Sequence, residues 1–254
     1  MASSSFESHW RGLEGIFGGY VLARFADAAR CIPGFVPISL TIQFVSAVDA
    51  GDGELTTEIM HQGVQTAGLR MQLHQEGRLR AHALAELVPV GRTVAWGRRR
   101  DLSLVPPPEE CVPHLSPVPR MSYADNLEIL SCGAPTLEGG AAAWIRLREG
   151  VGELDLGGAQ STACVFLDSL PPGLYAEPPL PSFVPTIDFS AHFSPSLSNF
   201  AGEWHYAINE TVWSDDRYCV EESTLCLPDG LIVAQVRQSR AIRWPQSDPS
   251  QKRV

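Results

Sequence analysis

One amide side chain stands among apolar residues near the end of the chain. In the segment 231–242, a two-residue period places Gln238 on the same strand face as Ile232, Ala234 and Val236. A buried amide needs hydrogen-bond partners. Gln238 is therefore either satisfied by neighbouring backbone or solvent at the strand end, or it positions a water molecule or polarises a carbonyl group.

Two further side chains with useful chemistry lie on earlier predicted strands. Asp188 alternates with apolar residues and is expected on a polar face with Thr186, Ser190 and His192. Thr211 lies on the next strand. Taken singly, Asp188 fits a solvated surface carboxylate and Thr211 an ordinary strand residue, so neither residue alone identifies a site.

Other kinds of site are disfavoured by composition and spacing. The six cysteines include no C-x-x-C pair, and the seven histidines include no H-E-x-x-H spacing, so we expect no metal site and no thiol nucleophile. The net charge of −10 argues against a nucleic-acid partner. Gly18 and Gly19 do not form a dinucleotide fingerprint, because no strand precedes them. We therefore expect no cofactor.

The elements that must position these residues occur twice. Residues 15–30 have apolar side chains at helical spacing and end at Pro33-Gly34, and the extended segments 38–45, 54–62, 66–75 and 79–88 follow. The apolar segment 161–170 ends at Pro171-Pro-Gly173, and it precedes strands predicted at 184–193, 204–213, 218–227 and 231–242. This order of one helix and then several strands indicates an internal repeat.

The repeat predicts three regions. They are a first unit at 1–90, a proline- and glycine-rich connector at 91–160 with one strand at 141–148, and a second unit at 161–254. No stretch reaches the roughly 18 consecutive apolar residues of a membrane span. The N-terminus lacks a basic region followed by an apolar one, so we expect no signal peptide and a cytoplasmic protein.

Three segments resemble one known family, the acyl-CoA thioesterase II family. They are Phe17-Gly-Gly-Tyr-Val-Leu-Ala, Thr186-Ile-Asp-Phe-Ser-Ala-His-Phe193 and the segment 229–243, which begins Asp-Gly-Leu-Ile-Val-Ala-Gln-Val-Arg-Gln. The resemblance covers roughly 15–88 and 161–243. It implies an α+β double hot-dog fold, in which two curved antiparallel sheets each wrap around a long helix.

The resemblance also implies a reaction and a site. Thioester hydrolysis in this family uses an aspartate, a threonine and a glutamine, which fall on Asp188, Thr211 and Gln238 here. Asp188 would take a proton from a water held by the other two. Backbone N–H groups at a buried helix start would stabilise the oxyanion, with Gly18 and Gly19 or the helix near Ser161 as candidates. One departure is Phe189, where the family carries histidine.

Two other functions remain open at this point. A hot-dog dehydratase or hydratase is favoured by the Asp188–His192 spacing, although no histidine has a glycine four residues later. A non-catalytic acyl-thioester-binding protein is the other, because a fold does not fix a function. The expected partner is an acyl-CoA or acyl-carrier thioester, and edge-to-edge pairing of curved sheets predicts a homo-oligomer.

Overall fold

In the part of the chain that the structure describes, twelve strands form one antiparallel sheet, accompanied by two short α-helices. The computed structural model describes residues 2–90, 96–115, 120–132, 140–151, 156–176, 178–194, 197 and 203–245. The helices are α1 (Gly18–Ala28) and α2 (Ala159–Leu167). The strands are β1 (Ala2–Phe6), β2 (Phe35–Phe44), β3 (Gly51–Gln62), β4 (Ala67–Gln75), β5 (Arg78–Pro89), β6 (Val112–Pro113), β7 (Leu127–Ser131), β8 (Gly140–Leu147), β9 (Thr186–Phe193), β10 (His205–Ser214), β11 (Tyr218–Cys226) and β12 (Ile232–Ala241).

The sheet order repeats within the chain. The first half reads β1-β3-β4-β5-β2 and the second continues β9-β12-β11-β10-β8-β7-β6, so β2–β5 and β9–β12 follow the same order on either side of a junction. At that junction β2 and β9 pair antiparallel, with Ile42 level with Phe189. The resemblance implied two curved sheets, whereas hydrogen bonds between β2 and β9 join the two halves into one sheet.

The helices are shorter than the sequence suggested. α1 has 11 residues, or about 16 Å at 1.5 Å per residue. It ends early because a 3₁₀ turn at Ala29–Cys31 follows, where Arg30 leaves helical geometry. α2 has 9 residues, all of them buried, and it packs against α1. Both helices are too short to match the long helices that the resemblance implied.

Part of the predicted connector belongs to the sheet. β8 pairs with β10, β7 pairs with β8, and the two-residue β6 lies at the edge, where prolines are tolerated. The strand expected at 141–148 is present as β8, one residue earlier. Within the described part of the chain, no helix has the length and apolar character needed to cross a membrane.

Candidate active site

Two of the expected site residues lie in one row across three neighbouring strands. Thr211 of β10 is level with Glu221 of β11, and Glu221 is level with Gln238 of β12. Cross-strand partners project from the same sheet face, so Glu221 lies between the threonine and the glutamine. The Thr211 hydroxyl donates to Glu221 Oε1 at 3.2 Å. The structure thus brings Thr211 and Gln238 to one face, with a carboxylate between them that the sequence reasoning missed.

Asp188 does not join this row. It is level with Ser239, whose backbone N–H donates to Asp188 Oδ1 at 2.8 Å, whereas the next residue, Phe189, is level with Gln238. Phe189 is fully buried, and alternation along β9 therefore places Asp188 on the opposite face from Gln238. Among the described contacts, none links Asp188 to Thr211 or Gln238. The expected convergence of all three side chains is not what the register gives.

A β-bulge changes the face of Thr186. The register between β12 and β9 shifts between Ser239 and Arg240, so Thr186 is level with Arg240 and not on the face of Asp188 as expected. The Thr186 hydroxyl donates to Gln238 Oε1 at 3.3 Å. Gln238 is 1% exposed, and its Nε2 has no hydrogen-bond partner among the described residues. A buried amide nitrogen with a free donor is expected to hold a water molecule or a ligand atom.

Behind this row lies a buried ionic network. Arg240 contacts Asp168 Oδ1 through Nη2 at 2.9 Å and Glu221 Oε2 through Nε at 2.6 Å. The backbone N–H of Gly173 donates to Glu221 Oε1 at 2.7 Å. Arg240 follows Gln238 by two residues, so alternation of β12 could have identified a charge on its buried face. No local sequence pattern predicted the pairing of Arg240 with Asp168, which follows α2.

Burial and charge shift the ionisation of this network. Burial raises the pKa of Asp168 above its usual value, and the nearby Arg240 guanidinium and the Gly19 N–H offset this only in part. Burial lowers the pKa of Arg240, but Glu221 and Asp168 raise it more, so the net shift is upward. Arg240 therefore remains charged, and Asp168 is protonated more easily than an exposed aspartate.

The Asp168 carboxylate lies against the two glycines at the start of α1. The Gly19 backbone N–H donates to the Asp168 carboxylate. A Cβ atom on Gly18 would lie 2.9 Å from Asp168 Oδ2, closer than real contacts allow. A carboxylate is favoured there because the first N–H groups of a helix lack intrahelical partners and carry partial positive charge. Of the two expected oxyanion donors, Gly19 is thus engaged by Asp168, while Gly18 lines a cavity.

That cavity has a volume of about 420 Å³. Its polar lining includes Asp168, Arg240 and Thr186, next to Gly18. Most of its wall is apolar, and includes Ile16, Phe17, Val21, Phe44, Val48, Leu170, Phe183, Val184 and Ile187. The lining does not include Thr211, Gln238 or Asp188. Gln238 is connected to the cavity through Thr186, a lining residue whose hydroxyl donates to Gln238. A mostly apolar cleft with a few convergent polar groups is typical of a small-molecule site.

One wall of the cavity is a stacked aromatic pair. The rings of Phe17 and Tyr123 lie 3.9 Å apart between centroids and are nearly parallel, at 6°. The Tyr123 hydroxyl donates to the Ser169 carbonyl at 3.2 Å. Burial raises the pKa of Tyr123, and the Asp168 charge adds to the shift, so the hydroxyl stays protonated. The region 120–132, which was expected to be part of the connector between the two units, therefore contributes to the site.

The first half of the chain has no counterpart of the polar row. The corresponding positions of β3, β4 and β5 are Ile59, Leu69 and Ala85, which are level with one another. They correspond because β2 and β9 each have one unpaired residue, Ile38 and Ile187, two positions before Leu40 and Phe189. Ala85 is level with Leu40, as Gln238 is level with Phe189. The repeat is thus symmetric in its strands and asymmetric in its chemistry.

Two family models match the two halves of the chain. A model of the acyl-CoA thioesterase N-terminal domain matches residues 6–88, and one of the acyl-CoA thioesterase C-terminal domain matches residues 108–242. No curated protein matches the chain.

Solved structures with the same fold come from several bacteria. A Novosphingobium aromaticivorans protein described as a thioesterase has a TM-score of 0.80 and 21% identity, covering 95% of this chain and 94% of its own. An Alicyclobacillus acidocaldarius protein of unknown function with a hot-dog fold has a TM-score of 0.80 and 16% identity, covering 96% of this chain and 93% of its own. An acyl-CoA thioesterase II from Mycobacterium marinum has a TM-score of 0.69 and 15% identity, covering 90% of this chain and 91% of its own. At these identities the likeness establishes the hot-dog fold.

Proposed function

We propose that this chain cleaves acyl-CoA or acyl-carrier thioesters in the cavity beside Gly18. The chain belongs to the acyl-CoA thioesterase family and is a thioester hydrolase. The observation that carries this proposal is the composition of that cavity. Its apolar wall suits an acyl chain, and its polar lining includes Asp168 and Arg240, with the Asp168 carboxylate placed against Gly18 and Gly19 at the start of α1. A thioester entering acyl chain first would leave its carbonyl group near these polar groups.

The reaction needs few catalytic groups. A thioester carbonyl is electrophilic and a thiolate is a good leaving group, so water can attack without a metal or a covalent nucleophile. The Gly18 N–H at the positive end of α1 would stabilise the developing oxyanion. The free Nε2 of Gln238, whose Oε1 accepts the hydroxyl of the cavity-lining Thr186, would hold the attacking water, with Thr211 in the same row.

The general base is the open assignment. The family resemblance assigns it to Asp188, whose carboxylate is held by the Ser239 N–H on the other face of β9. A base must come within about 3 Å of the water proton, directly or through one further water. Asp188 would therefore reach the row only through a water or a shift of the strand start, which makes substitution of Asp188 an informative test.

Thiol release from a panel of acyl-CoA and acyl-carrier substrates tests the proposal. We expect Gln238→Leu to lower kcat, whereas Gln235→Leu on the exposed face of the same strand serves as the matched control and leaves it unchanged. Equal rates for wild type and Asp188→Asn would remove Asp188 from the mechanism. If wild type binds acyl thioesters tightly but releases no thiol, the proposal of hydrolysis is wrong and the protein is an acyl-thioester-binding protein.

The two halves are proposed as two hot-dog units. α1 with β1–β5 would form the first, and α2 with β6–β12 the second, which follows the sheet order and the family matches at 6–88 and 108–242. This division assigns the strands between 108 and 160 to the second unit. Because β1 and β6 are the free edges of the sheet, pairing through either edge would give the homo-oligomer expected from the sequence.

A further inference from the structure

Near the end of each helix, a carboxylate accepts a backbone N–H at or just before the start of the other helix. Asp168, just after α2, accepts the Gly19 N–H of α1, and Asp27, near the end of α1, accepts the Gly157 N–H just before α2 at 3.0 Å. In both places a glycine gives the carboxylate room, because a Cβ atom on Gly157 would lie 2.5 Å from Asp27 Oδ1. The two contacts are similar but not identical, because Gly19 lies in the first turn of α1, whereas Gly157 precedes α2 and Asp27 also accepts the Ser161 hydroxyl of that helix.

Only one of the two carboxylates reaches the cavity. Asp168 lines it together with Arg240 and Gly18, whereas Asp27 is not among the lining residues. Arg240 occupies Asp168 Oδ1, and Asp168 Oδ2 is directed at Gly18, the residue whose N–H would hold the oxyanion. A purely structural cap would not need to lie at the wall of the cavity.

We propose that Asp168 is the carboxylate that takes the proton from the attacking water, and this inference rests on the thioesterase function proposed above. The water oxygen forms a C–O bond to the thioester carbonyl carbon, and its proton passes to Asp168. The tetrahedral oxyanion collapses, the C–S bond breaks, and the proton on Asp168 passes to the thiolate sulfur. One water is consumed, and the products are a carboxylic acid and a thiol.

The surroundings of Asp168 fit such a base. The groups that face it are Arg240 of β12, Glu221 of β11, Tyr123 beside Phe17, and Cys164 of α2. Burial raises the pKa of Cys164, and the Asp27 and Asp168 charges raise it further, so this thiol and the Tyr123 hydroxyl stay protonated at neutral pH. Arg240 stays charged, and Asp168 is the group of this set whose pKa is shifted from its usual value toward neutral pH.

The test compares Asp168→Asn with Asp27→Asn, since both replace a carboxylate that contacts the start of the other helix by an isosteric amide. We expect kcat for thiol release to fall about 10²–10⁴-fold in Asp168→Asn, the usual contribution of a general base. Asp27→Asn should stay within a few-fold of wild type. Thermal unfolding of both variants reports whether the cap itself was lost.

A pH profile separates catalysis from structure. Wild-type kcat should fall at acid pH with a midpoint above the ordinary pKa of aspartate, because burial raises the pKa of Asp168, and Asp168→Asn should lack this acid limb. If Asp168→Asn does not fold, Asp168→Glu, which keeps the base, should remain active with a displaced acid limb. The inference is overturned if Asp168→Asn keeps wild-type kcat, if both Asn variants lose activity equally, or if the wild-type profile is flat. If wild type releases no thiol from any acyl thioester, the proposed function itself fails.

Discussion

Replacing Arg240 by Met should be among the most destabilising single changes in this chain. The guanidinium is the cation that compensates the buried carboxylates of Asp168 and Glu221, and the three side chains are 8%, 6% and 0% exposed. Methionine has a similar volume but leaves both carboxylates without their cation. Removing one partner of a buried ion pair costs about 3–5 kcal/mol. For a chain of this size that loss lowers Tm by about 6–20 °C, at roughly 2–4 °C per kcal/mol.

The matched control is an arginine in an exposed cross-strand ion pair. Arg70 pairs with Glu58 between β4 and β3, and these side chains are 57% and 61% exposed. Arg70→Met should therefore cost at most about 1 kcal/mol. Urea unfolding of wild type and both variants at pH 7 measures the difference. If the two arginine variants lose equal stability, burial does not govern the Arg240 network and the reasoning is refuted.

The same substitution should change how stability depends on pH. Arg240 lowers the pKa of Asp168 in the wild type, so its removal raises that pKa further above the unfolded value. A group with a raised folded pKa contributes its stability at low pH and loses it as the pH rises. The deficit of Arg240→Met should therefore be smallest near pH 5 and grow toward pH 8.

Two further predictions concern other buried groups. Gly18→Ala should destabilise the fold by about 1–3 kcal/mol and lower kcat, because its Cβ would lie 2.9 Å from the Asp168 oxygen; a gain in unfolding free energy, as in an ordinary helix, would contradict this. Burial lowers the pKa of His205 to about 4, with a partial offset from the Glu203 carbonyl. Unfolded histidine protonates near pH 6.5, so wild type should lose up to about 3 kcal/mol as the pH falls from 6.5 to 4, and urea unfolding of His205→Gln should lack this loss.

Much of the fold could be predicted from local pattern. The alternation that predicted strands at 218–227 and 231–242 is present in β11 and β12 within one residue, and the Pro33-Gly34 stop correctly ended the first helix region. β1, β6 and β7 were missed. They are two to five residues long, and their strand state depends on pairing with β3, β7 and β8 more than on their own composition.

The sequence by itself placed Gln238 on an apolar strand face, because a two-residue period is a local property of the chain. Only the fold decided that this amide is buried and not facing solvent at the strand end. The sequence also carried the repeat of one helix followed by strands. Tertiary structure decided the partners of that amide. Register between β9 and β12, with a bulge beside Asp188, moved Thr186 to Gln238 and left Asp188 on the other face. Packing of α2 against α1 brought Asp168 to Gly19 and Arg240. These are contacts between residues 72 or more positions apart, and spacing along the chain does not encode them.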